Sequence, residues 1–350
     1  SLITYMIYTY YGGKYDIYEN EIARNEMGQR GTSNYSYPVG CAGIYSYYPS
    51  NSAQNRIADN RIDSNNMATY YQAGIANYYF NGEVVNNDVS NNKTKSSVTT
   101  AYGYFYSINN YYTFNMRCNN NLLVQNEGYY GNYGIYNYSF LSGSYQIEIR
   151  DNTLVFDGTN TGYYYNYNYA LYVYCYYHRN ISVTGNSVDF RNGYYIYPAY
   201  TYNGSGASAY KEWNFNNYYI NNFQYQYWYN PNGNSQDVAS WKGTDFAGNK
   251  NETAHKPVYK DASKGDYKID VFELQNRVPM YSSLFNWAPT RNDIDNTKAS
   301  RNLNKHDHGA LENFMNITGV KSDATINATV CSGHEFAGDI TIKNDFVDTI

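Results

Sequence analysis

One pattern constrains this chain more than any other: an apolar residue, two positions, Asn, one position, an apolar residue. It occurs as Ile17–Ile22, Ile57–Ile62, Val84–Val89, Cys118–Leu123, Ile149–Leu154 and Val183–Val188. The central residues are Asn20, Asn60, Asn87, Asn121, Asn152 and Asn186, spaced 27 to 40 residues apart. A degenerate seventh unit reads Phe215–Ile220, centred on Tyr218. A second landmark, a small residue followed by an apolar one and often by Tyr, precedes the first. It appears at Gly43-Ile44-Tyr45, Gly74-Ile75, Gly103-Tyr104, Gly134-Ile135-Tyr136 and Ala170-Leu171-Tyr172. Repeats of this length are the signature of stacked supersecondary units.

Each unit holds two or three short strands. Alternation in Tyr145–Ile149 and Ile181–Val183 buries one face. The two apolar positions flanking each Asn are too close for a hairpin, so the chain bends and continues. Asn tolerates a left-handed backbone and is expected to make that bend. Stacked units place the Asn amides one above another, where they can hydrogen-bond along the stack. A β-sandwich is the competing reading, but its turns should recur every 8–12 residues.

Composition divides the chain. All but three of its 49 tyrosines precede residue 231, whereas charged residues concentrate after it. Residues 1–240 read as β repeats, 241–313 as terminal rungs with a closing segment, and 314–350 as the start of another module. The net charge of −5, without a Lys/Arg stripe, points away from nucleic acid. No apolar run is long enough to span a membrane as a helix. The first ten residues lack the features of a signal peptide, and the abrupt start suggests a mature fragment of something longer.

The repeats resemble those of right-handed parallel β-helix proteins, the pectate-lyase-like superfold, over roughly residues 10–310. The resemblance implies an all-β, right-handed parallel β-helix of about seven or more rungs, followed by a β-sandwich-like (Ig-like) module. Lys256–Asp261 with Gly265–Ile269, then Asn292–Asn296 and Asp307–Glu312, are similar to closing motifs of large secreted bacterial surface proteins, with His308 at a position usually apolar. That segment is expected to cover the open end of the coil. Thr329–Gly333 resembles the first strands of adhesin sandwich repeats. The resemblance implies an extracellular or cell-surface location and export by the type IX route. The partners it implies are a surface polysaccharide or other extracellular ligand and further modules of the same chain.

Many β-helix proteins cleave polysaccharides, which requires converging carboxylates, or a Ca²⁺ site with a base. No Asp-Asp pair occurs, and Glu148, Asp157 and Asp189 fall at different rung positions. Arg150-Asp151 and Asp189/Arg191 read as solvated surface pairs. His306 and His308 alternate on one strand without a third ligand, so no metal site is assigned; no cofactor, Ca²⁺ included, is indicated. No catalytic residue is assigned. Cys41, Cys118 and Cys175 read as small buried hydrophobes, and Cys331 stands alone in the last module. Eight Asn-x-Ser/Thr sequons, at Asn34, Asn92, Asn137, Asn180, Asn203, Asn251, Asn316 and Asn327, either follow from an Asn-rich composition or mark surface loops.

Tyrosine is too abundant to be all core. Outward tyrosines at equal positions would form ladders about 4.8 Å apart. Such ladders either stabilise the sheet face or present aromatic rings, hydroxyls and Asn amides to a glycan. The candidate row is Tyr136, Tyr172 and Tyr197, with Tyr138 and Tyr174 one outward step along. The expected function is a non-catalytic adhesin or stalk. The alternatives are a polysaccharide lyase or hydrolase and a self-assembling filament.

Overall fold

A computed structural model describes residues 4–27, 40–49, 54–69, 71–94, 103–157, 166–230, 233–244, 246–270, 274, 278–279 and 305–311. The chain coils as a parallel β-solenoid with three long sheets. The first stacks Thr4–Tyr10, Cys41–Tyr47, Tyr71–Tyr78, Tyr104–Tyr111, Gly131–Ser139, Tyr167–Cys175 and the second half of Ser187–Tyr202. The second runs from Asp16–Tyr18 to Tyr210–Asn214 in seven strands, and the third from Glu21–Ala23 to Asn217–Ile220. The coil amounts to about five regular turns, somewhat fewer than the seven or more rungs expected. The outermost layers are irregular. The first presents Asp16 and Tyr18 to solvent, and the last pairs through a register shift at Ile181/Ser182.

The register explains the repeat. In the second sheet Ile17, Ile57, Val84, Cys118, Ile149, Val183 and Trp213 stand in one column. In the third, Ile22, Ile62, Val89, Leu123, Leu154, Val188 and Tyr218 do the same. The first sheet supplies Ile7, Ile44, Ile75, Ile108, Ile135, Leu171 and Ala199. These three columns form one apolar core. The seventh unit is therefore Trp213–Tyr218 centred on Asn216; Tyr218 itself fills the inward position. Likewise Ser107-Ile108, not Gly103-Tyr104, is the fourth-rung counterpart of Gly74-Ile75.

The small residue of the second landmark has a steric cause. A Cβ on Gly134 would overlap Leu154 Cδ2 and come within 2.7 Å of the Ala170 carbonyl oxygen. The first and third sheets approach closely there.

The Asn column is as expected, but its role in the bend is not. The left-handed residue is the one before: Glu19, Asp59, Asn86, Asn120, Asp151, Gly185 and Phe215. The Asn side chains turn inward, and each Nδ2 donates to Oδ1 of the next Asn at 2.8–3.0 Å. From Asn60 onward a second Nδ2 hydrogen bond reaches a carbonyl one rung back, as from Asn121 to Val84. Each Oδ1 also accepts from the preceding Asn backbone N–H. Asp lacks these donors, which is why Asn recurs. A second column, Asn25–Asn65–Asn92–Asn126, lines the next corner.

The last turn is covered by Trp241 of the helix Val238–Gly243 and by Phe246, packed with the fully buried Trp213 and Trp228. Both covering side chains belong to the solenoid core, so packing continues across residue 240. Much of the expected closing segment lies outside the described residues. Its described parts lie on the outer face of the third sheet, where Tyr267, Ala310 and Leu311 pack on Leu122, Val124 and Val155. Ala310 N–H donates to Thr153 Oγ1 and Gly309 N–H to the Gly185 carbonyl. Asn292–Asn296, Glu312, Cys331 and the module from 314 lie outside the described residues. Cys41, Cys118 and Cys175 are buried free thiols, as expected.

Candidate functional site

The outer face of the first sheet is a field of phenols. Tyr10, Tyr47, Tyr78, Tyr111, Tyr138, Tyr174 and Tyr202 form an unbroken row of register partners. Their ring centroids are 4.6–5.5 Å apart, with interplanar angles of 3–24°. A neighbouring row joins Tyr136, Tyr172, Tyr200 and Tyr229 at 4.6–4.9 Å. Tyr197 belongs elsewhere. It continues Tyr106, Tyr133 and Tyr169, at 4.3 Å from Tyr169. Strict alternation misplaced it, because the pair Pro198-Ala199, like Gly134-Ile135, interrupts the in–out pattern between two outward tyrosines.

The orientation of these rings matters. Rings stacked face to face along the coil cover one another's faces; Tyr10 is exposed, Tyr111 buried and the other five half-buried. The row is a line of hydroxyls repeating at each rung. Burial pushes the phenols of Tyr138, Tyr174 and Tyr200 up from their usual 10, with neighbouring phenols adding to the shift. Each is thus a neutral hydroxyl, both donor and acceptor, across the ordinary pH range. The Asn columns, by contrast, are internal: Asn87, Asn121, Asn152 and Asn186 are fully buried, so they cannot touch a ligand.

A second feature lies outside the third sheet. A cleft of about 530 Å³ opens between that sheet and the turn at Ala262–Gly265, lined by Arg61, Asp63, Asp88, Ser90, Arg191 and Lys264 among others. Asp63 and Asp88 are diagonal neighbours on adjacent rungs. Asp63 is held by Arg61 at 2.9 Å and by the Asn91 amide at 2.9 Å. Asp88 bonds the Ser90 hydroxyl, yet burial pushes its carboxyl above the usual range.

Sequence reasoning placed Glu148, Asp157 and Asp189 at different rung positions. Asp157 and Asp189 in fact share Arg191, at 3.6 and 3.0 Å. Nor are the expected solvated pairs solvated: Arg150, Asp151 and Asp189 are buried. Glu148 belongs to another face, in a column where Asp16, Arg56, Glu83, Arg117 and Glu148 alternate in sign and which is buried from Glu83 onward. The signal for both faces was the near-equal spacing of acids and arginines, visible only once the rungs are aligned.

Among the histidines, His178 is buried with Nε2 2.7 Å from the Thr113 carbonyl, and His308 is buried with Nδ1 3.1 Å from that of Leu274. No group of three His, Cys, Asp or Glu side chains converges to hold a metal among the described residues. The sequons at Asn92, Asn137 and Asn203 are buried, whereas Asn180 and Asn251 are exposed. No helix among the described residues is long and apolar enough to cross a membrane. Comparison with family models, curated proteins and solved structures finds no match to this chain.

Proposed function

We propose that this is a non-catalytic β-helix module of a large secreted or surface-anchored bacterial protein, acting as an adhesin or stalk. Its tyrosine face would bind an extended polysaccharide. The observation that carries the reading is the uncharged seven-tyrosine row from Tyr10 to Tyr202. A polymer laid along the coil meets the same hydroxyls at every rung, about every 4.8 Å. Many weak, repeated hydrogen bonds suit a neutral, hydroxyl-rich chain, and exposed parts of the rings supply apolar contact. The closing motifs, by their resemblance, point to type IX export. Co-sedimentation with insoluble polysaccharides tests the binding, with Tyr78→Ala/Tyr138→Ala expected to weaken retention and Tyr177→Ala to leave it unchanged.

One observation favours a second reading, a polysaccharide lyase or hydrolase. Asp63 and Asp88 share a cleft, and burial holds the Asp88 carboxyl above its usual range, the direction a general acid needs. Turnover abolished by Asp88→Asn would support it.

A further inference from the structure

The Tyr-Tyr dipeptides at the corner after the first sheet have a geometry that ligand binding does not require. Tyr11, Tyr48, Tyr79 and Tyr112 all adopt positive φ, between 50° and 57°. A left-handed backbone costs a bulky residue roughly 1–2 kcal/mol, and Asn or Gly would adopt it more cheaply. Rings of adjacent rungs meet there: Tyr11–Tyr48 and Tyr48–Tyr79 stack with centroids at 5.1 and 4.3 Å, and Tyr112 lies tilted against Tyr79 at 5.1 Å. Ring pairs contribute about 0.5–1.5 kcal/mol each, which offsets only part of the strain. Phenylalanine would stack as well, yet all four positions keep the hydroxyl. The Tyr48 and Tyr79 side chains hydrogen-bond each other, and their rings are the closest of the three pairs. Tyr11 is exposed, and the other three are partly so.

We propose that this corner is an oxidative cross-linking site, at which phenols of adjacent rungs couple to dityrosine under a haem peroxidase and hydrogen peroxide. Each of two phenols gives up one electron and one proton. The two radicals join through a carbon–carbon bond between ortho carbons, and the ortho hydrogens move to oxygen to restore both phenols. Hydrogen peroxide takes the two electrons and two protons and becomes two waters. The product staples one rung to the next, adding a covalent tie to rungs otherwise joined by hydrogen bonds, ion pairs and packing.

The test treats the whole chain with peroxidase and hydrogen peroxide at two dilutions. Dityrosine fluorescence per molecule should be independent of dilution. Arg56 and Arg61 separate Tyr48 from Tyr79 in a tryptic digest, so their link appears as two joined peptides, two hydrogens lighter than their sum. Tyr48→Phe/Tyr79→Phe keeps the rings and should remove that species and most of the dilution-independent fluorescence, while Tyr18→Phe should not. Treated parent chain should melt higher than treated double variant. Fluorescence that vanishes on dilution, links spread evenly over exposed tyrosines such as Tyr18 and Tyr177, or an unchanged yield in the double variant would each overturn the proposal.

Discussion

The Glu252 carboxylate accepts hydrogen bonds from both the backbone N–H and the side-chain amide of Asn216, at 2.7 and 3.1 Å. It ends a column in which every amide points the same way, from Asn20 toward Asn216. The column needs an acceptor at that end, and the carboxyl oxygens of Glu252 supply it.

Glu252 is fully buried, and burial pushes its carboxyl up to about 8 against the Asn216 hydrogen bonds that lower it. Between the unfolded value of 4.5 and 8, the native state holds a proton that the unfolded chain has released. Stability therefore falls as pH rises through that window and levels above 8. Glu252→Gln should flatten this part of a plot of Tm against pH, measured by circular dichroism.

His178 has the opposite sign. Burial lowers it to about 4 from 6.5, against the Thr113 hydrogen bond. Below 6.5 the unfolded chain takes up a proton that the native state refuses until 4. Its contribution is complete above 6.5 and is lost as pH falls toward 4. Between those values the parent should lose Tm faster than His178→Asn.

Asn121→Ala leaves the Asn87 donors, the Val84 carbonyl and Asn152 Oδ1 short of a partner. At about 1–3 kcal/mol for each group left buried and unpaired, the loss should reach about 3 kcal/mol or more. Asn20→Ala, at the partly exposed start of the column, should cost about 1 kcal/mol. Urea unfolding of the two variants measures the gradient.

Gly134→Val should destabilise by about 1–3 kcal/mol or more, since backbone as well as Leu154 must give way. Gly243→Ala, with open space around its Cβ, should stay within about 0.5 kcal/mol of the parent. Thermal melts of both variants check the claim that the small residue is steric.

The parallel stack was readable because one Asn and two apolar positions repeat in each rung with fixed local spacing. The second Asn column was equally readable, since Asn25, Asn65, Asn92 and Asn126 each lie five residues after a member of the first. It stops where Asp157 and Arg191 take over, which hid the repeat. Tyr197 was misassigned because Pro198 fills the position held by Gly43, Gly74, Ser107, Gly134 and Ala170 in the preceding rungs. The pairing of Asp63 with Asp88 was not readable before the rungs were aligned. Asp63 and Asp88 are joined only by the register of two rungs, and the turn at Ala262–Gly265 reaches the cleft from a distant part of the chain. Leu122-Leu123-Val124 did carry a usable hint, because an unalternating apolar strand is buried on both faces.

The most direct measurement follows binding and product release together on a panel of purified polysaccharides. New reducing ends and unsaturated uronate absorbance report turnover, and bound polysaccharide is recorded in the same tubes. Binding without turnover, weakened by Tyr78→Ala/Tyr138→Ala and indifferent to Asp88→Asn, is the expected result. Sustained turnover that Asp88→Asn abolishes would contradict it and move the function from the tyrosine face to the Asp63/Asp88 cleft.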